Sequence, residues 1–235
     1  MRYVWGSATH QGMVRQNNED SLFPEKSGQS EGPTVLIVAD GMGGHIAGEV
    51  ASRLAVNAAA SSALDPDDRV AAANRAIREE VARQPELEGM GTTMTLVELT
   101  TQGRARFAHV GDSRAYLYRG GELRQLTEDH TVAMEYVALG HLSPDEADDH
   151  PQSHMLTRCL GLTRFVNVDR IDLELEPDDR LLLCSDGLNS MVPAEGIAKA
   201  LANRTADEAA WQLVEAANKA GGHDNISVIV IDAVD

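Results

Sequence analysis

Val35-Leu36-Ile37-Val38-Ala39-Asp40-Gly41 and Leu181-Leu182-Leu183-Cys184-Ser185-Asp186-Gly187 are two apolar runs that stop on the same dipeptide. Runs this short, unbroken and rich in branched side chains read as buried strands. Each aspartate is therefore delivered by a rigid element to the edge of a core. Other acidic residues have similar settings: Asn18-Glu19-Asp20 follows Arg15, Gly111-Asp112-Ser113-Arg114 follows the strand candidate Ala105 to Val110, and His223-Asp224-Asn225 precedes Ile226 to Ile231. If these strands pack together, several carboxylates meet within a few ångströms and repel unless protonated or neutralised by cations. Mg²⁺ and Mn²⁺ suit such a donor set, and a pair ~3.5–4 Å apart can share a bridging carboxylate while activating water. One Asp-Gly on its own is ordinarily a turn, because glycine accepts positive φ and aspartate bonds its own backbone. The recurrence of acidic residues at strand boundaries is what points beyond turns.

Around these runs the pattern alternates strands and helices. Strands are expected over 3–9, 34–39, 92–99, Arg104–Val110, 115–118, 169–173, Arg180–Cys184 and 226–231, with tight turns such as Arg119-Gly120-Gly121-Glu122. Helices are expected over 46–62, over Pro66–Arg83 with Asp65 as its cap, and after the capping box Thr205-Ala206-Asp207-Glu208, which leads Ala209, Ala210, Leu213 and Ala217 onto one face. Tight turns favour antiparallel pairing, and the helices need apolar faces covered, which suggests two sheets face to face with helices outside. Pattern alone also allows a doubly wound sheet. Between Asp129 and Arg164 the helices become polar, with Ser143-Pro144-Asp145-Glu146 as a further capping box.

The 235 residues, 43% hydrophobic, suffice for one sizeable core, and no Pro/Gly/Ser-rich stretch divides them, so a single domain over 1–235 is expected. Asp+Glu 37 against Lys+Arg 20 leaves a net charge of −17, which argues against nucleic acid or an anionic membrane as partner. Most of that excess, Glu174, Glu176, Asp178 and Asp179 included, reads as solvated surface. Cys159 and Cys184 form no disulfide framework, and Cys159 precedes Arg164 by too little for a C-x5-R loop, which sets thiol catalysis aside. The start Met1-Arg2-Tyr3-Val4-Trp5 lacks an apolar leader and no run nears the ~20 residues of a membrane span, so a soluble cytoplasmic protein is expected. No heptad run marks a partner helix, and the expectation is a monomer. Phosphate-binding G-x-x-x-x-G-K-[ST], G-x-S-x-G and HExxH patterns are all absent.

Six blocks in register carry a resemblance: Arg15-Gln16-Asn17-Asn18-Glu19-Asp20, Asp40-Gly41-Met42-Gly43-Gly44-His45, Gly91-Thr92-Thr93, Gly111-Asp112-Ser113-Arg114, Ser185-Asp186-Gly187 and Gly222-His223-Asp224-Asn225-Ile226-Ser227. In this order, from about Ala8 to Val230, the chain resembles a bacterial PP2C-type (PPM) metal-dependent protein phosphatase. The resemblance implies an α+β fold: a four-layer α-β-β-α sandwich of two mainly antiparallel sheets with helices on both outer faces. It also implies a metal cleft at one end of the sheets and a flap subdomain over 129–164. By the same resemblance Asp40 bridges two Mn²⁺ or Mg²⁺ ions, Asp186 and Asp224 hold the first, and the Gly41 carbonyl with Glu19, through water, holds the second. Asp20 supports the cluster, Asp112 with Asp186 matches the site of a third ion, and Arg15 is the candidate phosphate clamp. A carbonyl at glycine is accessible because no Cβ shields it.

The implied reaction is hydrolysis of phosphoserine or phosphothreonine in proteins by a water bridging two ions, without a covalent enzyme intermediate, opposing a Ser/Thr kinase. Some family members place a histidine directly after the Asp-Gly; here Met42 stands there, which leaves open the general acid. His45 and a third-metal water are alternatives. Asp112 reads equally as a turn residue, Arg15 also as a surface arginine paired with Glu19 or Asp20, and His109, His130, His150, His154 and His223 as hydrogen-bonded or surface groups. A catalytically silent phosphoprotein-binding module of the same fold, or a phosphatase or phosphodiesterase acting on small molecules, are the alternative functions.

Overall fold

The computed structural model describes residues 1–43, 46–61, 65–148 and 150–235, without the side chains of Ile46, Asp145 and Asp148. Its first half runs β1 (Arg2–His10), β2 (Asp20–Phe23), β3 (Gly28–Ser30), β4 (Thr34–Met42), α1 (Ile46–Ser61), α2 (Pro66–Arg83), β5 (Gly91–Thr92), β6 (Met94–Leu99), β7 (Arg104–Val110), β8 (Arg114–Arg119) and β9 (Glu122–Gln125). The second half runs α3 (Val132–Ala138), α4 (Pro144–Asp148), β10 (Asp169–Glu174), β11 (Arg180–Cys184), α5 (Asp186–Asn189), α6 (Ala194–Leu201), α7 (Ala206–Lys219) and β12 (Ile226–Val234). One sheet has the order β3-β1-β12-β11-β8-β9, the other β10-β7-β6-β4-β2, with β5 paired to the end of β4. Every pairing is antiparallel, which removes the doubly wound alternative.

Successive side chains of a strand point to opposite faces, and in β4 and β11 both faces are covered. Leu36 and Val38 of β4 meet Leu181 and Leu183 of β11 in the core between the sheets, with Tyr3, Phe107 and Ile231. Ile37 and Ala39 pack outward against Ala51 and Ala55 of α1 and Ile77 of α2, while Leu182 and Cys184 pack outward against Ile197, Leu213 and other residues of α6 and α7. Three apolar layers between four structural ones explain why the two runs carry no polar alternation. At about 25 cal/mol per Å² of apolar surface removed from water, this double-sided burial is the main stabilising term for such strands. The expected sandwich is the one observed.

Boundaries differ from the pattern where the side chains are polar. β2, β3 and β9 were outside the expected strands: β3 is Gly28-Gln29-Ser30 at a sheet edge and β9 is Glu122-Leu123-Arg124-Gln125 at another, so neither offers an apolar period. The expected strand over 92–99 is split at Thr93 into β5 and β6. Asp65 occupies the cap position of α2 with extended backbone, but its side chain makes no cap bond and instead accepts from Arg106 Nη1 at 2.9 Å. The capping boxes of Thr205 with Glu208 and of Ser143 with Glu146 both form. The expected end of the first helix at Ser62, and Gly44 and His45 of the glycine block, lie outside the described residues.

Candidate active site

Strand register places the acidic residues at one end of the sandwich. In the β2/β4 pair Asp20 lies opposite Asp40. Like charges directly across a strand pair destabilise it unless something compensates. β11 ends at Cys184 beside Val228 and Arg114, so Asp186 just after it, Asp224 just before β12, and Asp112 between β7 and β8 emerge at neighbouring positions. Val110 of β7 pairs with Met94 of β6, which brings Asp112 to the β4 side as well.

Hydroxyl and amide groups fix the backbones of these carboxylates. The Asp40 amide donates to Thr93 Oγ1 at 2.9 Å, the Thr93 amide donates to the Asp40 carbonyl at 2.9 Å, and Thr92 Oγ1 donates to the same carbonyl at 2.7 Å. The Gly91-Thr92-Thr93 block is thus a clamp on Asp40. Ser185 Oγ donates to Asp20 Oδ2 at 2.7 Å. Asn225 Nδ2 donates to the carbonyls of Gln11 and Asn17, and its Oδ1 accepts from the Glu19 amide at 2.7 Å, so one buried side chain locks the Glu19 loop to the start of β12. Gly41 is required for a reason other than an accessible carbonyl: a Cβ there would strike the backbone of Gly48 in α1 and the Glu19 carbonyl. At Gly48 a Cβ would strike the Glu19 carboxylate. The strand end and the helix touch backbone to backbone, and Glu19 is wedged against them.

Arg15, Glu19, Asp40, Gly41, Asp112, Asp186 and Asp224 line one cavity of about 600 Å³. Asp20 is buried behind it. Seven of the eight expected site residues therefore converge, with the eighth in support. The carboxyl groups of Asp20, Asp40 and Asp112 are all pushed above the usual carboxylate range, chiefly by removal from water and further by neighbouring charges, Asp186 acting on all three. Asp20 Oδ1 and Asp186 Oδ1 are buried without a hydrogen-bond partner among the described residues. Unsatisfied buried carboxylate oxygens beside mutually repelling carboxylates are a donor set that a hard divalent cation completes. Among the described residues no three carboxylate, imidazole or thiol groups close on one point to form a protein cage.

Arg15 Nη2 lies 2.6 Å from Asp224 Oδ2. Its carboxylate partner is thus across the cleft rather than Glu19 or Asp20 nearby in sequence. His154 is the one imidazole lining the cavity among the described residues, with Nδ1 3.6 Å from Asp186 Oδ2. From the sequence it is expected only as a hydrogen-bonded or surface group. The return of the chain after α3 and α4, tied by the Thr131–Leu156 bridge, brings it there. Met42 lines the cavity and offers no proton. His109 and His130 are buried structural groups, whereas Cys184 is fully buried with its thiol pushed up to about 12 by burial, which makes it inert. No described helix is long and apolar enough to cross a membrane.

Comparison with known proteins points the same way. The serine/threonine protein phosphatase PstP of Mycobacterium tuberculosis is 42% identical over 246 residues, covering 100% of this chain and 45% of its own length. The chain thus spans under half of that relative. The serine/threonine phosphatase stp of Listeria monocytogenes is 38% identical over 240 residues, covering 95% of this chain and 93% of its own length. The crystal structure of the catalytic domain of PstP in complex with two manganese ions superposes with a TM-score of 0.88 at 39% identity, covering 100% of both chains. Residues 8–219, which hold every carboxylate of the cleft but Asp224, match the family model for protein phosphatase 2C, and the chain belongs to that family.

Proposed function

We propose that this chain hydrolyses phosphoserine and phosphothreonine in proteins with the help of two Mn²⁺ or Mg²⁺ ions. The observation that carries this reading is the single cavity walled by Arg15, Glu19, Asp40, Asp112, Asp186 and Asp224. Asp40, Asp186, Asp224, Glu19 and the Gly41 carbonyl would hold the pair, and Asp112 with Asp186 a third ion. When bound, such ions neutralise the carboxylates, polarise phosphoryl oxygens and lower the pKa of water toward neutrality.

The chain's own groups do the rest. Arg15 presents a planar fork that matches two phosphoryl oxygens, and a phosphate approaching it replaces Asp224 as its partner. Thr92 and Thr93 hold the Asp40 backbone, which fixes the point from which its carboxylate enters the cleft before substrate arrives. Asn225 does the same for the Glu19 loop. The segment 129–164 acts as a flap that brings His154 and Leu156 to the cavity. The activity fits an enzyme opposing a Ser/Thr kinase in the cytoplasm and working as a monomer.

The decisive experiment measures phosphate release from a phosphothreonine peptide with and without Mn²⁺. Metal-dependent turnover that Asp40→Asn abolishes supports the reading. No turnover with any divalent ion would instead favour a phosphoprotein-binding module, and preference for nucleotides over phosphopeptides a small-molecule enzyme.

A further inference from the structure

A cavity of about 1130 Å³ lies away from the catalytic cleft, between α2 and the chain segment leading into β10. A second cavity of about 390 Å³ continues it along α2, sharing Arg78 and reaching Leu162. Asn74 builds the groove. Its Oδ1 accepts from the Gly161 amide at 2.7 Å, and its Nδ2 donates to the carbonyls of Thr163 and Arg164, which holds the 161–165 loop as a fixed wall.

Charge is distributed unevenly along this groove. Asp67 is paired with Arg170, and Asp169 with Arg158 and His130. Asp68 at the start of α2 and Glu128 remain without an ion pair among the described residues. Further along the helix, Arg75 and Arg78 sit three residues apart on one face, with Arg164 across from them, and none of the three has a carboxylate partner among the described residues. Asp68 and Arg78 are separated by about 15 Å of helix, so the acidic start of α2 stands apart from the arginine cluster, beyond which Glu88 is the one carboxylate lining the second cavity among the described residues. On a chain of net charge −17, three uncommitted guanidinium groups in one groove are a local exception. Phe165, 82% exposed, stands beside them with the Arg164 guanidinium 5.3 Å from its ring centre, and Leu162 is 51% exposed.

We propose that this groove docks an extended acidic segment of a protein substrate, remote from the phosphorylated residue. Aspartate and glutamate side chains pair with Arg75, Arg78 and Arg164, and an apolar residue rests on Phe165 and Leu162. The assignment rests on the phosphatase reading only for the identity of the partner.

The test uses the whole chain and a fluorescein-labelled, unphosphorylated acidic peptide carrying one phenylalanine, followed by anisotropy. Binding should weaken with salt and fall by about tenfold or more in Arg75→Glu/Arg78→Glu. Arg164→Glu serves as an independent second variant, with circular dichroism confirming that both fold. Turnover of p-nitrophenyl phosphate should be unchanged in the variants, while KM rises for a phosphopeptide extended by the acidic segment. Equal peptide affinity in wild type and variants would overturn the proposal, as would equally tight, arginine-dependent binding of an oligonucleotide of matched charge. Arginine-dependent peptide binding by a protein that turns over no phosphoester would sink the proposed function and leave the groove standing.

Discussion

Ser185 Oγ donates to Asp20 Oδ2 at 2.7 Å across the two sheets. Asp20 begins β2 of one sheet and Ser185 follows β11 of the other, so the bond closes the sandwich at the end where the carboxylates meet. The Ser227 amide in turn donates to Ser185 Oγ at 2.9 Å, extending the link to β12. A polar tie in this place holds the inner ends of three strands where apolar packing gives way to charge.

Ser185→Ala should therefore cost about 1–3 kcal/mol, the penalty of leaving a buried acceptor unpaired. Urea unfolding of the metal-free protein measures it. A loss within 0.5 kcal/mol of zero would show that the serine is not what joins the sheets.

Arg15 and Asp224 form an ion pair that an incoming cation must disturb. Arg15→Ala should leave Mn²⁺ affinity unchanged or raise it, because a competitor for Asp224 is gone, while kcat/KM for a phosphopeptide falls by about 10²-fold or more through the lost phosphate contact. Arg15→Lys should recover only part of the rate, since an ammonium cannot match two oxygens in a plane. Calorimetry with Mn²⁺ alone separates the two effects, and weaker metal binding in Arg15→Ala would contradict this account.

Asp40 is pressed by burial and by Asp20, Asp186, Asp112 and Asp224. Asp40→Asn keeps the shape and removes one of the repelling charges, so the metal-free protein should gain on the order of 1 kcal/mol, or roughly 2–4 °C in melting temperature for a domain of this size. The same variant should lose both the stabilisation by Mn²⁺ and the turnover. A metal-free melting temperature below that of the wild type would refute the repulsion argument.

The degree to which the sequence foretold this cleft follows from how each residue is held. Asp40, Asp186 and Asp224 were legible because each adjoins a strand whose two faces are apolar, and such a run has few other readings. Thr93 was visible as part of a block, yet its role as clamp on the Asp40 amide needed the β4/β5 pairing. His154 was not legible: it lies in a polar segment, and its approach to Asp186 depends on a loop returning over the cleft. Asp224 as the partner of Arg15 was not legible, since the alternative to a phosphate clamp paired Arg15 with its sequence neighbours Glu19 or Asp20, whereas Asp224 comes from the far end of the chain. The strands β3 and β9 escaped for a simpler reason, since sheet edges need no apolar period.

Acid should weaken the fold through His109. Its Nε2 donates to the Glu128 carbonyl at 3.0 Å and its Nδ1 lies 2.9 Å from Thr95 Oγ1, which suits a neutral ring. Burial first, and the charge of His130 next, lower its pKa to about 3, against about 6.5 in an unfolded chain. The folded state thus binds fewer protons between these values. Its contribution is complete above about pH 6.5 and is lost as pH falls below that, at up to ~1.4 kcal/mol per pH unit. His130, also lowered by burial, acts in the same direction. In His109→Gln the slope of unfolding free energy between pH 6.5 and 5 should become shallower by up to one proton's worth. An unchanged slope would assign the acid sensitivity elsewhere.

Gly48→Ala sets two effects against each other. In the interior of a helix alanine is favoured over glycine by about 1 kcal/mol, an upper bound for Gly48 in the first turn of α1. At this position the new Cβ meets the Glu19 carboxylate and approaches the Gly41 carbonyl carbon within 2.9 Å. Glu19 cannot simply withdraw, because its amide is fixed by Asn225 and its carbonyl accepts from the Gly41 amide at 3.2 Å and from Ser52 Oγ at 2.6 Å. Overpacking of this kind costs about 1–3 kcal/mol, enough to cancel or exceed the helical gain. The expected result is a protein of equal or lower stability whose Mn²⁺ affinity is reduced, because the carboxylate that yields is the one facing the cleft. A more stable variant with unaltered Mn²⁺ binding would show that α1 can move away from the strand end, and that Glu19 is not positioned by this contact.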